Sequence, residues 1–151
     1  MSDRKTDDAC SGQEAAAASV NAAMPERLIE GQPLKVLVID DYQLIREGLK
    51  LTLARLDPLA IVLEAESLPR AVDVFRCHDD IDLVLLDLCM PGSYSGQTMD
   101  AFVGACPSSR VVVISATCDS HTVQATLRKG ALGFIPKLTD TRSLVQALRF
   151  V

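Results

Sequence analysis

"KVLVIDDYQLIREGL", residues 35–49, runs from a short apolar segment into an amphipathic one across two adjacent aspartates, Asp40 and Asp41. The segment 35–39 ends in four consecutive Val, Leu or Ile residues, which reads as a strand buried on both faces. The segment beyond the aspartates predicts a helix over 43–56, with Leu44, Leu49, Leu51 and Leu53 as its apolar stripe. Two carboxylates side by side where a core strand ends repel each other. Their placement therefore asks for a reason beyond packing.

The same alternation recurs along the chain. Apolar runs at 35–39, 60–65, 82–86, 110–114 and 133–135 alternate with helical candidates near 43–56, 68–77, 96–105, 120–129 and 141–150. Ser67 and Pro69 mark the start of the second helix, and Gly130 after Arg128-Lys129 marks the end of the fourth. Five β/α units in residues 34–151 predict an α/β fold, a doubly wound parallel sheet with helices on both faces. Right-handed crossovers leave few topologies open to so short a chain.

Composition agrees. Of 151 residues, 48% are hydrophobic but only two are Tyr and four Phe, so the core is built from Val, Leu, Ile and Ala. The net charge of −5 argues against direct nucleic-acid binding, which needs a basic face. Five cysteines (10, 77, 89, 106, 118) form no CxxC pair, so reduced thiols are expected rather than disulfides or zinc. No run of about 18 apolar residues is present, so no membrane span is expected and the location should be cytoplasmic. Residues 1–33 carry six acidic and three basic residues and no strand pattern, which predicts a disordered N-terminal tail preceding a single domain at 34–151.

In a doubly wound sheet, ligands sit beyond the carboxyl ends of the strands. Asp40 and Asp41 follow the first run, Asp87 the third, Ser115 and Thr117 the fourth, and Lys137 the fifth. The end of the second run contributes Glu64 and Glu66, which are set aside because an outer strand lies to one side. Singly, an Asp, Ser or Thr after a strand is often a helix cap and a Lys is surface charge. Jointly, they place three carboxylates, two hydroxyls and an ammonium on one edge. A hard divalent ion such as magnesium would resolve the carboxylate repulsion, and Lys and hydroxyl groups would hold phosphoryl oxygens. The set suits phosphate chemistry on a carboxylate nucleophile.

On "VLVIDDYQLIREGL", "DLVLLDLCMPG", "VVVISA" and "KGALGFIPK", residues 34–151 resemble the receiver domain of bacterial two-component response regulators, and specifically the NarL/LuxR-type branch. The resemblance implies a flavodoxin-like five-stranded sheet of order 2-1-3-4-5 flanked by five helices. It implies that Asp87 is the phosphoacceptor, served by a sensor histidine kinase or phosphotransfer protein. Asp40, Asp41, Asp87 and the backbone carbonyl of Cys89 would bind Mg2+ or Mn2+, with Asp41 direct and Asp40 through water. Ser115 would hydrogen-bond the phosphoryl group, Lys137 would pair with its charge, and Phe134 would be the switch aromatic, turned inward even without phosphate. The output face would comprise the fourth helix, fifth strand and fifth helix. The implied function is a phosphorelay switch controlling transcription, not an enzyme acting on other substrates. It would homodimerise on phosphorylation and reach DNA only through a C-terminal effector domain outside this chain.

Some positions depart from the family pattern. "PGSYSG" (91–96) is one residue longer than usual and brings Tyr94 near the site, and Leu138 stands where many receivers carry proline. Cys89 sits two residues past Asp87, where its thiol is expected to be buried and inert. A haloacid-dehalogenase-type phosphatase needs a second Asp at that position, which disfavours that reading. The remaining alternative is a pseudo-receiver that mediates interaction or dimerisation without phosphorylation. Such modules usually lose an acidic-pocket residue or the lysine, and here all are present.

Overall fold

The computed structural model describes residues 31–92 and 95–149. Five strands, β1 (Lys35–Ile39), β2 (Ile61–Ala65), β3 (Leu83–Asp87), β4 (Val111–Ser115) and β5 (Gly133–Pro136), form one sheet of order β2-β1-β3-β4-β5. All four pairings are parallel. The connections are α1 (Gln43–Leu56), α2 (Leu68–Arg76), α3 (Ser95–Ala105) and α4 (Ser120–Arg128), and α5 (Thr141–Arg149) comes after β5. This is the flavodoxin-like arrangement expected. The tail predicted over 1–33 falls almost wholly outside the described residues, as does Tyr94.

Strand alternation sorts the core into two layers. Leu37, Ile39, Val84, Leu86, Val111, Val113 and Phe134 pack with Ala71 and Val74 of α2 and Met99 and Phe102 of α3. Val36, Val38, Leu83, Leu85, Val112, Ile114 and Ile135 pack with Leu49 and Leu53 of α1 and Leu144 and Leu148 of α5. The central strands are buried on both sides, hence their unbroken apolar runs. Phe75 and Phe102 meet edge to face, centroids 5.9 Å apart, and tie α2 to α3.

Helix ends obey local chemistry. The Ser67 hydroxyl accepts from Arg70 N at 3.4 Å, and Asp119 Oδ1 accepts from Thr122 N at 2.9 Å. Gly130 adopts φ +98° just past α4, a left-handed turn that glycine takes without strain.

The stripe expected on α1 is corrected. Leu49 and Leu53 are buried, but Leu44 and Leu51 are 81% and 71% exposed. The buried side comprises Ile45, Leu49, Thr52, Leu53 and Leu56, the i, i+4, i+7/8, i+11 series of an amphipathic helix. Counting leucines missed Ile45 and the aliphatic side of Thr52. Three strands also extend one residue further than expected, so Asp87, Ser115 and Pro136 are the last residues of β3, β4 and β5.

Candidate functional site

The site is assembled where β1, β3, β4 and β5 end. Asp40 leaves β1 with its side chain 2% exposed. Its Oδ1 accepts from Tyr42 N at 2.8 Å, closing the turn into α1, and its Oδ2 pairs with Lys137 Nζ at 2.8 Å. Asp87 is equally buried at the end of β3. Its Oδ1 accepts from Cys89 N at 3.0 Å and its Oδ2 takes the same Lys137 ammonium at 2.9 Å. One lysine thus bridges two buried carboxylates.

Burial alone would lower the Lys137 pKa, but the hydrogen bonds it donates to Asp40 and Asp87 and their charges outweigh it and hold the pKa above the ordinary 10.5. The ammonium is fixed in its charged form.

Asp41 completes the group. Carboxylate oxygens of Asp40, Asp41 and Asp87 all lie within 4.8 Å of one another. Asp41 Oδ1 is buried and has no hydrogen-bond partner. Three carboxylates face one ammonium, and a buried carboxylate oxygen without a donor carries a desolvation cost. An oxygen-liking divalent cation would relieve both, so the residues present fit such an ion.

Ser115, fully buried at the end of β4, accepts from Thr117 N at 3.2 Å through its Oγ, while its carbonyl accepts from Lys137 N at 2.9 Å. Thr117 itself is exposed, so of the two hydroxyls only that of Ser115 is buried at the strand ends. Phe134 is 5% exposed, in register with Val113 and on the sheet face to which alternation also directs Ser115.

A family model described as response regulator receiver domain matches residues 36–149. The chain belongs to that family. Among curated relatives, the receiver is 33% identical to the glycerol metabolism activator of Pseudomonas putida, over 76% of this chain and 52% of that protein. It is 32% identical to the nitrate/nitrite response regulator protein NarL of Escherichia coli, over 78% of this chain and 54% of that protein. The chain thus spans about half the length of these curated relatives. A chain in the crystal structure of the CheX–CheY–BeF3–Mg2+ complex from Borrelia burgdorferi superposes with a TM-score of 0.72 at 26% identity, covering 89% of this chain and 96% of that one. Of these, NarL is a NarL/LuxR-type response regulator.

The receiver brings together Asp40, Asp41, Asp87, Ser115 and Lys137, the strand-end set read from the sequence. Glu64 and Glu66 stay outside the carboxylate cluster. One expectation is overturned: the Cys89 side chain is exposed, not buried, with Sγ 3.8 Å from Ser115 Oγ. The loop after β3 turns back so that the Cys89 amide reaches Asp87, and this leaves the side chain facing outward. Among the described residues, no helix is long and apolar enough to cross a membrane.

Sequence reasoning missed Arg46 and its partners. Glu64, set aside as lying on an outer strand, receives Arg46 Nε at 3.0 Å and Lys50 Nζ at 2.5 Å. Burial alone would raise the Glu64 pKa, but these two cations hold it below the ordinary carboxylate value. The signal available was Arg46 and Lys50 at i, i+4 on a helix beside a strand carrying a lone acid.

Proposed function

We propose that Asp87 is the phosphoacceptor of this receiver and that Asp40 and Asp41 hold a magnesium ion beside it. The observation carrying this reading is the Lys137 ammonium shared by Asp87 and Asp40, next to the unpartnered Asp41 oxygen. An Asp87 oxygen attacks the phosphorus of a phosphohistidine on a sensor kinase or phosphotransfer protein. The new P–O bond forms as the P–N bond breaks, and the electron pair leaves with the imidazole nitrogen. Lys137, already paired with Asp87, holds an oxygen of the incoming group, and Ser115 supplies a hydroxyl to the product. Bound magnesium would offset the charge on the transferring oxygens, with the Cys89 carbonyl as a further ligand. The acyl phosphate adds up to about two negative charges beside residues that now share one ammonium.

The output we infer is transcriptional control through an effector outside residues 34–151, supported by the names of the curated relatives. Residues 1–33 are proposed as an extension separate from the receiver. Incubation with acetyl phosphate and Mg2+ should add about 80 Da, the mass of one phosphoryl group, only when the divalent ion is present. Asp87→Asn should abolish this. Equal labelling of that variant sinks the assignment, and a wild type that stays unlabelled with every donor would leave a pseudo-receiver.

A further inference from the structure

Asp40 and Asp41 are neighbours in the chain, yet they are held very differently. Every polar group of Asp40 is engaged: its amide donates to Ala65 O at 3.1 Å, Oδ1 accepts from Tyr42 N, and Oδ2 binds Lys137. Its carbonyl accepts from Arg46 Nη1 at 2.7 Å. Asp41 Oδ1 has no partner. Where the Asp41 carboxylate points therefore depends on what fixes the backbone around it.

The peptide bond is planar, so the carbonyl of residue 40 and the amide and Cα of residue 41 move as one plate. The group gripping that plate is Arg46. Its guanidinium donates to the Asp40 carbonyl with one nitrogen and to Glu64 Oε1 with another at 3.0 Å, in the fork geometry that arginine provides and lysine lacks. Glu64 lies in β2, whose backbone pairs with β1. Its other oxygen is steadied by Lys50 one turn along α1. The Arg46 side chain is only 15% exposed, which protects the pair from screening.

We propose that Arg46, anchored by Glu64, is a positioning residue that aims the Asp41 carboxylate at the divalent cation. The metal half of this assignment rests on the magnesium reading of the aspartate cluster. Arg46 touches neither the phosphoryl group nor the ion; it acts through the peptide plate between Asp40 and Asp41.

The sign of the effect separates positioning from simple charge. Removing a cation next to three carboxylates should, by electrostatics alone, tighten Mg2+ binding. Loss of positioning should loosen it. Calorimetry with the full chain and MgCl2 is expected to show Arg46→Met weakening binding about tenfold, the scale on which outer supports of metal ligands act. Arg46→Met combined with Glu64→Gln, which preserves net charge, should be as weak as Arg46→Met alone. Lys50→Met, which removes a partner of Glu64 but not of Asp40, should stay within about twofold of wild type. Arg46→Lys, able to reach one acceptor at a time, should fall between.

A second readout needs no metal. Amide exchange at Asp40, whose N–H donates to Ala65 O, and at Tyr42, whose N–H closes the turn, should quicken about tenfold in Arg46→Met and not in Lys50→Met. Unchanged or tighter Mg2+ binding in Arg46→Met overturns the proposal, whatever its melting temperature. Should wild type bind no Mg2+ at all, the functional reading fails instead. Amide exchange then decides the positioning role alone, and unaltered exchange at Tyr42 in Arg46→Met rejects it.

Discussion

At the residue scale, Lys137 shows how one group can serve stability and chemistry together. Its ammonium is the counter-charge for two buried carboxylates, so its loss leaves Asp40 and Asp87 facing each other without it. Lys137→Met should destabilise the metal-free protein by about 2–3 kcal/mol, the cost of stripping a partner from a largely buried pair. Mg2+ should recover part of that loss. The raised pKa sets the pH window: the contribution is full below the ordinary 10.5 and is lost as pH climbs through the higher folded value. Urea unfolding of both proteins should therefore show a constant gap near neutral pH that narrows only above 10.5. A gap that narrows between neutral pH and that value refutes the pairing. Asp40, Asp87, Ser115 and Lys137 were legible because each comes after an apolar run whose end is easy to see. The exposure of Cys89 was not, since it depends on a loop turning back to bring an amide to Asp87.

At the element scale, α1 separates composition from placement. Leu53 is fully buried against β1 and β3 residues, while Leu51, two positions earlier, is 71% exposed. Leu53→Ala should cost about 3 kcal/mol and Leu51→Ala less than about 0.5 kcal/mol, measured by chemical denaturation. Similar losses at both positions would mean that α1 is rotated from the position described. The helix itself was readable over its whole span, 43–56, because no proline interrupts it and the strand signals on either side are strong. Its rotation was not. Four leucines between residues 44 and 53 leave more than one candidate stripe, and only contact with Val36, Val38 and Leu85 selects Leu49 and Leu53. Arg46 is placed by the same rotation: with Leu49 and Leu53 facing inward, it is left beside Glu64.

At the scale of the whole molecule, the question is how a charge at Asp87 would reach a distant surface. Asp87 and Ser115 end neighbouring strands, and Phe134 sits one strand further, packed among Leu86, Val111 and Val113. A close-packed interior admits side chains in discrete positions, which suits a two-state device. Ser115→Ala should still accept phosphate at Asp87 but couple it poorly, so that phosphorylation-dependent NMR shifts over residues 118–135 shrink. Identical shifts in both proteins would exclude the route through Ser115. The sequence by itself determined the element order, the parallel doubly wound sheet and the set of strand-end groups, because burial on both faces demands unbroken apolar runs and their ends are marked by charge. Tertiary structure alone decided which face of α1 is buried, that one ammonium serves two aspartates, that Asp41 has an oxygen without a donor, and that Glu64 holds Arg46 against the Asp40 carbonyl. The physical reason is range. Strand and helix periodicities are local, whereas each of those contacts joins residues from different elements whose meeting depends on strand order and helix rotation.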